Sequence, residues 1–328
     1  MKHRLSPLAL SVLVGILSGA GRLEGQSKSA PARTVETVAT LPWAGTTESL
    51  CETPDGSIYI TGMDDKVIWK VSPGGRLEKF ADFPALGAVI GVAASRDGLV
   101  ITAVTRPLRR PGPSRGQPPT AGGTAGAPPS EPPRDLSDLG AQVMVLDKSG
   151  AATAIIPGQK GLLNGIAPAG RGLYVIADST ASTIWQLDPA RKRLEPWLKD
   201  DALAPAGTFP IGANGIKVHN GWVYVSVSGR DAIYRMQIGT DGRAKGALRM
   251  FAHAPGLFPD DFDIAKDGAI YLSTGMTMYK IAPSGEVSKF LENVPNGAAA
   301  LVSRDGKWLY WSTRGGTAPQ RLLRVALR

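Results

Sequence analysis

Residues 259–291 read "PDDFDIAKDGAIYLSTGMTMYKIAPSGEVSKFL". A short apolar run from Phe262 ends in the turn Lys266-Asp267-Gly268. An aromatic strand, "AIYLST", follows, then a polar turn, a second strand "MTMYKI", a Gly turn and a third short strand. Alternating apolar residues punctuated by Gly turns are the signature of β-strands, and nothing in the stretch has helical periodicity. Two adjacent carboxylates, Asp260 and Asp261, stand at its head.

The same unit recurs along the chain. "GSIYITGMDDKVIWKVSPGGRLEKF" starts at Gly56, "RGLYVIADSTASTIWQLDPARKRLEPWL" at Arg171 and "GWVYVSVSGRDAIYRMQIGTDGRAKGALRMF" at Gly221. Weaker copies are "GLVITAVT" with "QVMVLDKSGAATAII", and "KWLYWST" with "RLLRVAL". Each copy has a leading strand: "ESLCETPDG", "IGVAASRDG", "NGIAPAGRG", "NGIKVHNG", "DDFDIAKDG" and "NGAAALVSRDG". Fixed-period self-similarity of this kind marks a repeat architecture. Six units of four short strands predict an all-β fold, a six-bladed β-propeller. The last unit lacks one strand. "TVETVATL", from Thr34, is expected to supply it and close the ring, which leaves no sheet edge open.

One interval, between Ile90 and Asn164, is too long for a single blade. The excess is an insertion at 106–140, "RPLRRPGPSRGQPPTAGGTAGAPPSEPPRDLSDLG", between the second and third strands of the second blade. Pro, Gly, Ala and Ser dominate it, so it has little to bury against its ordering entropy and is expected to be disordered. It emerges on the face where the leading strands begin.

The chain has 328 residues, 43% hydrophobic and 20% charged, with net charge +9. Basic residues are scattered and aromatics are 6%, which disfavours a nucleic-acid face. Residues 1–20, "MKHRLSPLALSVLVGILSGA", combine a basic start, an apolar core and small residues before a cleavage point, as an export signal does. Residues 21–34 form a polar spacer, and 35–328 the propeller. The expected address is periplasmic or secreted, with no membrane span in the mature chain. Cys51 is the single cysteine, so neither an internal disulfide nor a multi-cysteine metal site can form.

The first residues of the six leading strands are Glu48, Ile90, Asn164, Asn214, Asp260 and Asn296. In a propeller the leading strand is innermost, so this column forms a ring around one mouth of the central channel. Asn and Asp are also common turn residues. Glu48, Asn164, Asn214 and Asp260 together offer two carboxylates and two amide carbonyls in one register. Such hard oxygens suit Ca²⁺, whereas the thiolates and clustered His that favour Zn²⁺ are missing.

This pattern resembles the six-bladed calcium-dependent hydrolases of the senescence marker protein/gluconolactonase/luciferin-regenerating-enzyme group, whose architecture diisopropylfluorophosphatase and the paraoxonases share. "NGIKV" at Asn214 resembles that group's Asn-Gly strand start, and "PDDFDIAKDGAIYLS" its Pro-Asp-Gly strand. The resemblance implies a divalent metal, Ca²⁺ first, on Glu48, Asn164, Asn214 and Asp260. Departures are Ser49-Leu50 after the Glu, Asp261 where the group has Gly, and no counterpart of the paraoxonase His pair.

The expected activity is hydrolysis of a lactone or related ester, with a small-molecule substrate at the channel mouth. The metal would stabilise charge on the carbonyl oxygen, and Asp260 would act as nucleophile or general base, or a water at the metal would attack. Asp178, Arg230, Asp261 and His253 are candidate substrate contacts. The alternative is a non-catalytic propeller that binds a ligand or protein through its rim.

Overall fold

In the computed structural model the described residues are 33–106, 136, 139–207, 211–315 and 318–328. Residues 1–20, where an export signal is expected, most of the expected spacer and most of the insertion lie outside them. Arg33–Arg328 is one compact unit. It contains six four-stranded antiparallel sheets, a six-bladed β-propeller.

The innermost strands are Thr47–Glu52, Ala88–Ala94, Leu163–Gly170, Ala213–His219, Phe262–Ile264 and Gly297–Val302, in blades 1 to 6. Each contacts the innermost strands of the neighbouring blades, which closes a ring around the channel. Val35–Thr40 pairs with Arg321–Ala326 as the outermost strand of blade 6, so the N-terminal strand completes the last sheet as expected.

The core lies in the seams. Each pair of adjacent blades shares one apolar cluster. Val175 and Leu187 pack in the seams flanking blade 3, Trp311 and Leu323 between blades 5 and 6, and Leu50 and Leu322 where the ring closes. An edge-on aromatic pair recurs between the second strand and the outer strand of three blades: Tyr59 with Phe80, Tyr224 with Phe251, Tyr271 with Phe290. Their ring centroids lie 4.9, 5.3 and 5.0 Å apart. These pairs are the physical content of the repeated aromatic strands.

A second repeat explains the Asn-Gly strand starts. The innermost strand shifts register at the ring residue in blades 1 to 4, for example between Leu163 and Ile166 and between Ala213 and Ile216. A bulge re-aims the side chain it carries. The residue that follows sits hard against the next blade. A Cβ on Gly91 would meet the Asn164 carbonyl at 2.4 Å, on Gly165 the Asn214 carbonyl at 2.6 Å, and on Gly215 the Asp260 carbonyl at 2.6 Å. Asn-Gly is therefore a bulge and a close backbone approach, not the chemistry of a tight turn.

Candidate functional site

Buried hydroxyls stitch the ring residues together. Thr61 donates to the Ile90 carbonyl at 2.8 Å, Thr102 to that of Asn164 at 2.7 Å, and Ser226 to that of Asp260 at 2.7 Å. Each also accepts an N–H from its own blade, from Ser49, Gly91 and Gly215 respectively. Blade 3 has Ala177 at this position and no stitch. The backbone of the ring is thus fixed before any ligand arrives.

A second set of hydroxyls orients the amide side chains. Asn164 donates from Nδ2 to Ser179 Oγ at 3.1 Å, and Ser179 donates onward to the Ala213 carbonyl at 2.8 Å. Asn214 repeats this with Ser228 at 2.9 Å, and Ser228 donates to the Pro259 carbonyl at 2.7 Å. Each serine's single proton is committed, so it must accept from the amide, and this fixes which end of each amide is nitrogen. The oxygens are the ends left over. Asn214 Oδ1 is buried with no hydrogen-bond partner.

Asp260 joins this system. Its Oδ1 accepts from Asn214 Nδ2 at 2.7 Å, and its Oδ2 accepts from the Arg314 guanidinium. Arg314 also lies 4.0 Å from Glu48 Oε2. Glu48 and Asp260 side chains are each 14% exposed. Burial, and next the charge of Asp260, push the Glu48 carboxyl up to about 8, with Arg314 opposing both. Asp260 foremost raises the Arg314 guanidinium above its ordinary range.

Arg314 was not among the sequence candidates. It follows the strand Trp308–Thr313, donates its backbone N–H to the Asn296 carbonyl and bridges Thr46. Ring closure thereby sets it beside Glu48, far away in the chain. A pocket of about 220 Å³ opens next to it, lined by Phe258, Asp260, Ser273, Asn296 and Arg314 among others. Asp231 holds the loop that carries Phe258, accepting the backbone N–H groups of Gly256 at 2.8 Å and Phe258 at 3.0 Å.

The other candidates sit elsewhere. Asp261 takes the place of the close-approach glycine and is buried in the channel. Its Oδ1 accepts from Lys217 Nζ at 2.7 Å and its Oδ2 from Ser49 Oγ at 3.3 Å. Ser49 is likewise the non-glycine after Glu48, so the two departures from the Gly pattern face each other. Asp178 is consumed by its turn: Oδ1 accepts from Thr180 and Ala181, and Oδ2 from the Trp185 indole at 3.0 Å. Asp65 and Trp69 repeat that contact in blade 1. Arg230 donates to the Asp201 carbonyl at 3.0 Å, toward the connection between blades 3 and 4. His253 ends Ala244–His253, the outermost strand of blade 4, away from the inner ring. The geometry makes Asp261 a channel group and Asp178 a turn scaffold, and it sets Arg230 and His253 outside the pocket. Ile90 lies in an apolar cluster with Ala88, Val104, Leu139 and Leu162, so that side of the ring offers no side-chain ligand.

The donor set fits a hard divalent cation. Asp260 supplies charge, Glu48 would add its own on giving up the proton that burial favours, and the amides of Asn164 and Asn214 are anchored through nitrogen with their oxygens left over, one of them an orphaned buried acceptor.

No protein-family model matches the sequence, and a search of curated proteins gives no match. Solved structures do match over nearly the whole propeller. A gluconolactonase from Xanthomonas campestris aligns with 14% identity and TM-score 0.63, covering 90% of this chain and 89% of that one. A calcium-binding protein, regucalcin, from Agrobacterium tumefaciens aligns with 13% identity and TM-score 0.61, covering 90% and 96%. A virginiamycin B lyase from Staphylococcus aureus aligns with 12% identity and TM-score 0.56, covering 90% and 99%. These structures share the propeller fold with this chain. Among the described residues no helix is long and apolar enough to cross a membrane.

Proposed function

We propose that this chain is an exported hydrolase of lactones or related esters that works with a divalent cation, Ca²⁺ first, at the mouth of the propeller channel. The observation that carries the reading is the pair of amides, Asn164 and Asn214. Serine acceptors hold both by their nitrogens, Asn214 also bonds the Asp260 carboxylate, and Asn214 Oδ1 is left buried with no donor. The structural likeness to a gluconolactonase and to a calcium-binding regucalcin supports it.

Glu48, Asn164, Asn214 and Asp260 would hold the ion, which when bound supplies Lewis acidity to the carbonyl of the substrate. Asn214 Nδ2 holds Asp260 Oδ1 and fixes the orientation of the carboxylate. Asp260 faces the pocket and takes the proton of the attacking water. Phe258 and the apolar residues around Ile90 limit water near the ring. In the ion-free ring Arg314 lies between the two carboxylates and offsets their repulsion.

The test is turnover of a panel of γ- and δ-lactones and aryl esters by chelator-treated protein before and after Ca²⁺ is restored. Activity that appears with the ion supports the reading. No turnover of any member with one ion bound per chain favours the rival, a rim-binding propeller, for which the engagement of Asp260 by Arg314 speaks.

A further inference from the structure

The ring already contains a cation. Arg314 hydrogen-bonds Asp260 of blade 5 and lies 4.0 Å from Glu48 of blade 1, so one guanidinium spans both carboxylates of the proposed ion site. The other basic residue close by, Lys217, is committed to Asp261 at 2.7 Å. Arg314 does not sit there to complete its own hydrogen bonding, because its Nε is buried with no acceptor. Charge holds it.

We infer that Arg314 is a built-in competitor for the ion: the guanidinium and a divalent cation occupy the Glu48–Asp260 pair in alternation. This inference rests on the cation reading proposed above. Two cations cannot share one pair of buried carboxylates, because like charges a few ångströms apart repel strongly where water is scarce. An ion that reaches both carboxylates must first displace the guanidinium. The backbone of Arg314 is pinned by its N–H bond to the Asn296 carbonyl at 2.9 Å and by its bridge to Thr46, so the exchange is a side-chain movement. The pocket lined by Phe258, Ser273 and Asn296 is the open space beside it. Arg314 thereby sets the concentration of ion at which the site loads, and it keeps the ion-free ring partly neutralised.

The experiment is calorimetric titration of chelator-treated protein with calcium chloride, for wild type, Arg314→Met and Arg314→Lys. Competition makes Arg314→Met bind about 10-fold tighter, a coupling of the size usual between linked ligands. Arg314→Lys keeps the charge and should stay within about 3-fold of wild type by the same reasoning. Arg314→Gln is a second neutral variant with the same expectation, should Arg314→Met fail to fold by circular dichroism. If wild type binds and the neutral variants bind equally or more weakly, the competition is overturned and the ion site stands. If none of the proteins binds calcium, both fall together.

Discussion

Asn214 donates from Nδ2 to Asp260 Oδ1 at 2.7 Å, across the seam between blades 4 and 5. The same nitrogen reaches Ser228 Oγ at 2.9 Å, so one amide ties the ring residue of one blade to that of the next. This contact makes the site a property of the assembled ring, and it makes Asp260 the residue on which function and scaffold meet.

Replacing Asp260 with Asn should affect both. Asn can still accept from Asn214 but cannot take a proton from water. Loss of a general base typically lowers turnover by about 10²–10⁴-fold. The melting temperature should fall as well, because Arg314 loses the charged carboxylate it is bonded to. Initial rates with an ester substrate and a thermal melt check both halves. Retained turnover in ion-loaded protein would remove this carboxylate from the chemical step.

Ser228 should matter through Asn214. Ser228→Ala leaves Asn214 Nδ2 and the Pro259 carbonyl each short of one bond in a buried seam. Groups left unsatisfied in this way cost about 1–3 kcal/mol. Urea denaturation of Ser228→Ala, Asn214→Ala and the double variant should give non-additive losses, because the two side chains share one network. Additive losses would show that the serine does not hold the amide.

The close-approach glycines should be less tolerant than the turn glycines. Gly215→Ala drives a Cβ to 2.6 Å from the Asp260 carbonyl, and backbone on both sides must move. Overpacking of this kind costs about 1–3 kcal/mol or more. Gly221 has open space around it and a φ of +76°. Gly221→Ala meets only the unfavourable left-handed backbone, about 1 kcal/mol. Denaturant midpoints for the two variants should rank in that order, and Gly215→Ala should also weaken ion binding.

Asp263 should give the propeller an inverse pH dependence within a limited window. Burial pushes its carboxyl up to about 6, although Lys217 and the backbone N–H groups of Val302 and Ile264 pull it down, and Asp261 adds to the rise. Below about pH 4 the folded and unfolded chains both hold the proton, and Asp263 costs nothing. Between about 4 and 6 the unfolded chain gives up the proton while the folded one keeps it, so its contribution to stability falls as pH rises. Above 6 the full cost remains. Asp263→Asn should flatten this part of a stability–pH curve measured without added ion. An unchanged slope would mean that Asp263 does not titrate there.

How much of this was legible beforehand follows from the kind of signal each residue carries. The blades were legible because every repeat brings its own aromatic strand, Gly turn and leading strand, and the Tyr–Phe pairs of blades 1, 4 and 5 turn that repetition into packing. The ring column was legible as a register. Its Asn-Gly steps were harder, because Asn-Gly reads as a turn until the Gly165 and Gly215 contacts with the next blade are seen. Asp178 misleads for a related reason, since a turn carboxylate capping Thr180 and Trp185 has the same residue type as one awaiting substrate. His253 belongs to an outer strand, a distinction that strand order settles and composition does not. Arg314 carried no local signal. It enters the site only because ring closure sets "STRGG" of blade 6 beside Glu48 of blade 1.

The central claim is that the ring of Glu48, Asn164, Asn214 and Asp260 holds one divalent cation. Equilibrium dialysis against ⁴⁵Ca²⁺, on wild type and on Glu48→Gln, tests it most directly. The account expects one ion bound per wild-type chain, and markedly weaker binding once the Glu48 charge is removed. No bound ion in wild type, or equal binding by the two proteins, would contradict it.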